Sequence, residues 1–305
     1  MKPIFIFSLP RSGSSLLQKL ILTSKSVSTV SETWILLPLF YGMKGYSRFN
    51  EYDDTIVQRA LEEINKSKGV STESLLRKLS TSIYENLNTD GKKFFLDKTP
   101  RYYYIIDDII NVFQNDAKYI FLFRNPYHIV DSLLNTWGNY GNVGDNNRDI
   151  IDGSNRMAIA YEKHSDKALK ISYELLTSET LSVTREIEEF LGLSLDTENF
   201  SNSKLGALGD PTGVAKYNSI SSSRVETSDI DLGKRFVLES LVGRFDFRYF
   251  KAGCYNHSVL RKELRSRPIQ ISTDTFRFLI GNFLNYLYRN ERLNLLKILL
   301  RGKNN

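Results

Sequence analysis

Short apolar runs alternate along the chain with longer segments of helical periodicity. The runs that predict strands lie at 3–8 (PIFIFS), 93–96 (KFFL), 118–123 (KYIFLF) and 169–173 (LKISY). Each is followed by a polar or proline-containing turn and then by apolar positions at helical spacing. Because strands that alternate with helices form parallel sheets with crossover helices, the pattern predicts a three-layer α/β fold around a central parallel sheet.

Helical periodicity also predicts the segments between and after these strands. The predicted helices span 54–65, 71–87, 102–114, 127–136, 149–167, 179–191 and 230–242. Ser71 and Ser178 stand at the predicted starts of two of them, where a serine side chain can cap the first turn. The stretches 138–148 and 201–229 are rich in turn-forming residues and are predicted to be loops over the sheet edge.

The chain ends in a strongly apolar helical pattern over 276–299, with scattered Arg and Lys. Such a basic amphipathic helix packs on the body of the protein, on a second subunit as in a homodimer, or on a membrane surface. No stretch reaches eighteen apolar residues, and the first apolar run is interrupted at Ser8, too early for a signal peptide. We therefore expect a cytoplasmic protein that crosses no membrane, with peripheral membrane contact as an open alternative.

Composition narrows the classes of ligand. The 305 residues are 41% hydrophobic, which is ordinary for a globular protein. A net charge of +6 suits an anionic ligand, but the charge is spread along the chain, so we expect no nucleic-acid partner. Cys254 is the only cysteine, and no Cys/His cluster has metal-ligand spacing, which predicts a reducing compartment and a site without metal.

The first candidate site is the sequence SLPRSGSSLL, which joins the first predicted strand to a helix. In such a strand–loop–helix, backbone N–H groups and the helix N-terminus form a P-loop-like anion site. A nucleotide-triphosphatase loop would read G-x-x-x-x-G-K-[ST]. Here Ser8 replaces the first Gly, Ser14 replaces the Lys, and Arg11 supplies the cation, which indicates a different ligand.

A second anion site follows the strand at 118–123. This strand is followed by Arg124, where a nucleotide triphosphatase would commonly place an acidic residue to hold Mg²⁺. A helix beginning near Pro126 would bring Ser132 back toward the strand end. Two anion sites at the carboxyl ends of parallel strands suit a nucleotide with phosphates at both its 3′ and 5′ positions. A P-loop kinase or NTPase is the disfavoured alternative.

The segments PRSGSSLL at 10–17 and FRNPYHIVDS at 123–132 resemble the 5′-phosphosulfate and 3′-phosphate motifs of sulfotransferases that use 3′-phosphoadenosine 5′-phosphosulfate (PAPS). SETW at 31–34 is similar to an acidic motif of the tyrosylprotein and bacterial carbohydrate-type branches. DKTPRY at 97–102 and YELL at 173–176 follow in the family's order.

The resemblance covers about residues 4–230. It implies a single sulfotransferase domain over 1–305 with a C-terminal helical region from about 230, PAPS as co-substrate and no metal. It also implies nucleotide-binding residues in four segments. These are Arg11, Ser12, Gly13, Ser14 and Ser15 at the 5′ end, Arg124 and Ser132 at the 3′-phosphate, Tyr173 beside the nucleotide, and Lys216 within the stretch 209–224.

Sulfuryl transfer needs a base, because an acceptor hydroxyl is a poor nucleophile until it loses its proton. Glu32 is the candidate base. Lys98, Arg11 and the loop amides are the candidates that stabilise charge on the departing phosphate oxygen. Neither His128 nor His164 matches the mid-chain histidine that many cytosolic small-molecule sulfotransferases use as base. His128, within the 3′-phosphate segment, is interpreted as a helix residue.

The acceptor is expected to be chosen by variable loops around 36–60 and 138–155. A saccharide hydroxyl is the first choice, with a peptide tyrosine, a lipid or a small-molecule hydroxyl as alternatives. The aromatic runs at 101–104 and 245–250 are assigned to packing. A non-catalytic nucleotide-binding or membrane-associated module, which would keep the anion loops but would not need Glu32 or Lys98, is a further alternative.

Overall fold

The computed structural model describes residues 1–45, 54–88, 90–137, 147–203, 205, 219–220 and 230–271. Its main sheet consists of β1 (Lys2–Ser8), β2 (Val27–Ser28), β3 (Phe94–Asp97), β4 (Lys118–Phe123) and β5 (Ala168–Ser172). All pairs are parallel, in the order β2-β3-β1-β4-β5. The predicted parallel sheet is therefore confirmed, and the four predicted strands match the observed ones to within one residue at either end. The two-residue strand β2 was not predicted.

Helices connect and flank these strands. They are α1 (Ser14–Ile21), α2 (Leu36–Lys44), α3 (Asp54–Lys68), α4 (Thr72–Leu87), α5 (Ile106–Phe113), α6 (Pro126–Trp137), α7 (Asn147–His164), α8 (Tyr173–Ser178), α9 (Thr180–Leu191), α10 (Leu232–Val242), α11 (Phe247–Ala252) and α12 (His257–Ser266). Short 3₁₀ turns occupy Pro100–Tyr104, Gln114–Asp116 and Phe200–Asn202. A small parallel pair joins β6 (Ile230–Asp231) to β7 (Ile269–Gln270). Among the described helices, none has the length and apolar character needed to cross a bilayer.

Several predicted helix boundaries differ from the observed ones, among them the ends predicted at 65 and 167 and the start predicted at 230, which lie at Lys68, His164 and Leu232. The segment predicted as one helix over 102–114 is broken at Ile105, whose φ of −133° separates a 3₁₀ turn from α5. Ser71 caps α4 by accepting the Ser74 N–H at 3.1 Å, as predicted. Ser178 caps nothing, because α9 begins one residue later, behind Glu179.

The expected acceptor loops are partly helical. The 36–60 stretch contains α2 and the start of α3, and α7 begins at Asn147, inside the 138–155 stretch. Most of the predicted loop 201–229, including Lys216, and the apolar pattern at 276–299 lie outside the described residues.

The two faces of the sheet carry different side chains. Phe5 and Phe7 of β1 point to one side, where both lie near Tyr119 with ring centroids 6.1 and 6.2 Å away. Helices α2, α4 to α7 and α10 to α12 cover that aromatic side. Ile4 and Ile6 point to the other side and pack with α1, α8 and α9. The alternation of Ile and Phe in the first strand thus matches the observed three layers.

The strand order places the candidate residues at one edge. The connection from β3 to β4 passes over β1, so the direction of winding reverses beside the central strand. Ser8 at the end of β1 pairs with Leu122 near the end of β4. Ligands of open α/β sheets bind beyond the carboxyl ends of the strands at such a reversal.

Candidate active site

The loop after β1 turns sharply before α1 begins. Arg11 and Gly13 have φ angles of +68° and +88°, and the Ser12 N–H donates to the Leu9 carbonyl at 3.2 Å. Gly13 is the N-cap of α1, so it offers no side chain to the N–H groups of the first turn, which also contains no acidic residue. The positive end of this helix is therefore open to an anion.

Tyr173 lies directly against this loop. A Cβ built on Gly13 would overlap the Tyr173 ring, so only glycine fits there. The Arg124 guanidinium lies 4.2 Å from the centroid of the same ring. Tyr173 was predicted to end the strand, but β5 ends at Ser172, whose hydroxyl caps α8.

Arg11, Ser132 and Arg124 form one continuous group. Arg11 Nε donates to Ser132 Oγ at 3.1 Å, and Arg124 Nη1 donates to the Arg11 carbonyl at 2.8 Å. Arg124 is 9% exposed, and its Nε has no hydrogen-bond partner within the described part of the chain. The sheet thus brings together the cations predicted from two distant segments. Among the described residues, the buried Arg124 Nε–H has no acceptor.

Glu174 supports the turn that follows Arg124. Its carboxylate accepts the Asn125 N–H at 3.0 Å, the Tyr255 hydroxyl at 2.6 Å and the Ser172 hydroxyl at 3.1 Å. His128 Nδ1 lies 3.5 Å from the same carboxylate, close enough for an electrostatic contact but without hydrogen-bond geometry. Burial alone would raise the pKa of Glu174, but these polar contacts outweigh it and lower the pKa to about 2.

Glu32 and Lys98 form a buried pair beside the loop. Lys98 Nζ donates to Glu32 Oε1 at 2.7 Å and to Ser15 Oγ at 3.3 Å. The second carboxylate oxygen, Glu32 Oε2, accepts the indole N–H of Trp34 at 3.0 Å. Lys98 is fully buried and Glu32 nearly so. The candidate base is therefore connected through an ammonium group to the start of α1.

The turn that carries Glu32 has a strained backbone. Ser31 and Trp34 on either side of it have φ angles of +76° and +57°, which non-glycine residues seldom adopt. The Trp34 N–H donates to Thr99 Oγ1 at 3.2 Å. Gln18 of α1 donates to the Ser31 carbonyl at 2.8 Å. These bonds hold the turn against α1 and the segment after β3.

Asp97, at the end of β3, holds the turn that carries Glu32 in place. Its carboxylate accepts hydroxyl hydrogen bonds from Thr33 at 2.9 Å, Tyr84 at 2.6 Å and Tyr102 at 2.9 Å. Burial raises the pKa of Asp97, and the hydroxyl donors oppose that shift. Because Thr33 follows Glu32 and Asp97 precedes Lys98, this contact sets the position of both members of the ion pair.

Sequence reasoning missed several of these residues. Asp97, Thr33 and Trp34 lie inside the quoted motifs but received no role. For Asp97 the signal is the alternation in Asp-Lys-Thr at 97–99, since neighbouring side chains of an extended segment point to opposite sides. Thr33 and Trp34 have no comparable local signal. Tyr249 was assigned to packing, and it is fully buried, with its hydroxyl 3.4 Å from the Arg124 carbonyl oxygen.

Two other expectations concern histidine and metal. His164 lies at the end of α7, where Nε2 is 2.7 Å from Asp107 Oδ1. Within the described ranges, no three His, Cys, Asp or Glu side chains are grouped so that they could hold a metal ion.

The parallel sheet and the open N-terminus of α1 define a P-loop-like α/β protein with an anion-binding loop. The family model described as "Sulfotransferase family" matches residues 3–197, and the chain belongs to this family. The nodulation protein NoeE of Sinorhizobium fredii (strain NBRC 101917 / NGR234) is 31% identical over 134 residues, or 44% of this chain. The chain matches 31% of the length of that relative.

Two solved structures are among those similar to this chain. The sulfotransferase domain from the Synechococcus PCC 7002 olefin synthase has 21% sequence identity and a TM-score of 0.48, covering 80% of this chain and 94% of its own. The sulfotransferase STF9 from Mycobacterium avium has 14% identity and a TM-score of 0.49, covering 84% of this chain and 77% of its own.

Proposed function

We propose that the protein transfers the sulfuryl group of PAPS to an acceptor hydroxyl, with a saccharide as the first choice of acceptor. The observation that carries the proposal is the chain of contacts from Glu32 through Lys98 to Ser15. It connects a carboxylate that can accept a proton to the loop that can hold the leaving group.

The residues at the sheet edge fit a nucleotide with two phosphate positions. The open N-terminus of α1 and the Arg11 side chain suit the 5′ end, and Arg124 with Ser132 suits the 3′-phosphate. The buried Arg124 Nε supports this assignment, because no described residue accepts its hydrogen bond and a buried donor without a partner is costly unless a ligand satisfies it.

The proposed reaction is a single displacement at sulfur. A bond forms between the acceptor oxygen and the sulfur, while the bond from the sulfur to the 5′-phosphate oxygen breaks and that oxygen keeps the electron pair. The acceptor proton passes to the Glu32 carboxylate. Lys98, Arg11 and the amides of the loop stabilise the negative charge that grows on the departing oxygen.

Lys98 suits this role because of where its ammonium lies. In the structure it contacts both the candidate base and Ser15 of α1. As Glu32 gains a proton, its attraction for Lys98 weakens and the ammonium becomes available to the leaving group. The two charge changes of the reaction are therefore coupled through one side chain.

A buried ion pair also argues against a protein that only binds nucleotide. Burial of two charges costs several kcal/mol per ion, and apolar residues of similar size are often as stable or more stable. The Glu32–Lys98 pair, at 7% and 0% side-chain exposure, is therefore poorly explained by stability. Catalysis explains both charges, because the carboxylate can accept the acceptor proton and the ammonium can stabilise the leaving group.

Radiolabelled sulfate tests the proposal. The protein is incubated with labelled PAPS and four acceptor pools: neutral saccharides, a tyrosine peptide, hydroxylated lipids and phenols. We expect label in the saccharide pool, with 3′-phosphoadenosine 5′-phosphate (PAP) released in equal amount. Binding of PAP without transfer to any pool would contradict the enzymatic proposal and favour the binding protein. Transfer to another pool would support the sulfotransferase activity but change the proposed class of acceptor.

A further inference from the structure

Trp34 combines an exposed side chain with a fixed position beside the candidate base. It is 37% exposed, although large apolar side chains are usually buried. Its φ of +57° is an outlier for a bulky residue and strains the backbone. Strain of this kind persists only where surrounding contacts enforce it, and it concentrates at functional sites.

Contacts on two sides fix the indole. Its N–H donates to Glu32 Oε2 at 3.0 Å, and the Arg101 guanidinium lies 5.9 Å from the ring centroid. Arg101 is itself held by Asp149, with both N···O distances at 3.1 Å. Asp149 is 3% exposed and also accepts the Tyr103 hydroxyl at 2.6 Å. The exposed ring is therefore a rigid surface, supported from the start of α7.

We propose that Trp34 is the platform on which the acceptor stacks, and that the acceptor is a neutral pyranose ring. This inference rests on the proposed function and names the substrate subsite. Because the indole nitrogen is 3.0 Å from Glu32 Oε2, a sugar ring lying on the indole has its hydroxyls within reach of the carboxylate. A rigid aromatic ring gives contact area at little cost in conformational entropy.

The surroundings favour a sugar over an aryl acceptor. Small apolar ligands bind in concave sites that are mostly apolar. Trp34 instead lies open to solvent between a guanidinium and a carboxylate, which suits a ring with apolar C–H faces and a polar rim. An alcohol also needs a base more than a phenol does, since the phenolic pKa is near 10.

Two substitutions separate stacking from the bond to Glu32. Trp34→Phe keeps an aromatic face but removes the N–H, whereas Trp34→Ala removes both. Loss of the face should raise the KM for neutral mono- to tetrasaccharides by roughly tenfold, corresponding to a stacking energy of about 1.4 kcal/mol. We expect that increase in Trp34→Ala, less than about a threefold increase in Trp34→Phe, and unchanged PAP affinity in both. Phe247→Ala, which removes another exposed aromatic, should change none of these values.

Fluorescence gives a readout that does not depend on turnover. The chain has two tryptophans, so Trp137→Phe leaves Trp34 as the reporter. With PAP bound, addition of the saccharide pool should shift the Trp34 emission. Equal losses of kcat in both Trp34 variants with unchanged KM would contradict the proposal that the acceptor stacks on Trp34. Unchanged Trp34 emission in a protein that transfers sulfate would contradict it as well. A wild-type protein that neither binds PAP nor transfers sulfate would overturn the function itself.

Discussion

Lys98 Nζ lies 2.7 Å from Glu32 Oε1, and both side chains are buried beside the loop that begins α1. Residues sixty-six positions apart in the sequence meet here because β3 ends next to the turn that follows β2. Removal of one partner from such a pair leaves an uncompensated buried charge. Each substitution in this pair is therefore expected to affect stability as well as chemistry, and the two effects have to be measured separately.

Glu32→Gln should abolish proton acceptance while it keeps the shape of the side chain. We expect kcat to fall by about 10²–10⁴ with PAP affinity nearly unchanged. Thermal melting checks that the variant is folded, and Glu189→Gln on the exposed side of α9 is the control. If Glu32→Gln keeps more than about half of the wild-type kcat, Glu32 is not the base, and His128 is the next residue to test.

Arg124→Ala should weaken binding of the bisphosphate PAP by about 2–4 kcal/mol, because a charge-assisted contact to a phosphate is lost. The loss should be smaller for adenosine 5′-phosphosulfate, which has no 3′-phosphate. Calorimetry with both ligands measures the difference, and Arg185→Ala on the exposed side of α9 is the control. Equal losses for the two ligands would show that Arg124 does not bind the 3′-phosphate.

Gly13→Ala should destabilise the protein more than Gly192→Ala. Both glycines have positive φ, +88° and +67°, so alanine is strained at either position by about 1 kcal/mol. Only at Gly13 would the added Cβ also overlap the Tyr173 ring. Urea unfolding compares the two variants. Tyr173→Ala should relieve part of the Gly13→Ala loss, and additive losses in the double variant would contradict the contact.

Glu174 should make stability depend on pH in the acid range. Its pKa of about 2 in the folded protein lies below the ordinary value of 4.5, so the unfolded chain takes up the proton first as pH falls. The contribution is complete above about pH 5 and is lost between 4.5 and 2. Unfolding free energies from pH 6 to pH 3 should show wild type and Glu174→Gln converging. A constant difference between them would contradict the low pKa.

The sheet could be predicted because β1, β3 and β4 are short, apolar and nearly fully buried, and because β5, although only partly buried, has a similar apolar run. The helix α2 could not, because its sequence LLPLFYGMK contains Pro38 and Gly42, which oppose helix locally. Burial of Leu36 and Phe40 against the aromatic side of the sheet outweighs those preferences. That energy comes from residues distant in sequence, so periodicity within the segment does not show it.

The site was only partly predictable for the same reason. The loop at Arg11 and the Arg124 that follows β4 are local signals that directly follow predicted strands. The anchoring of Thr33 by Asp97 joins positions sixty-four residues apart and depends on how the turn packs over β3. The exposure and strain of Trp34 likewise exist only in the folded chain.

Calorimetric titration with PAP and with Mg·ATP tests the central claim most directly, because it asks whether both anion sites belong to one nucleotide. PAP fills the site at the start of α1 and the site at Arg124 together, so we expect it to bind more tightly than Mg·ATP. Added EDTA should change neither PAP binding nor sulfate transfer. Tighter binding of Mg·ATP, or activity that chelation abolishes and metal restores, would contradict the account.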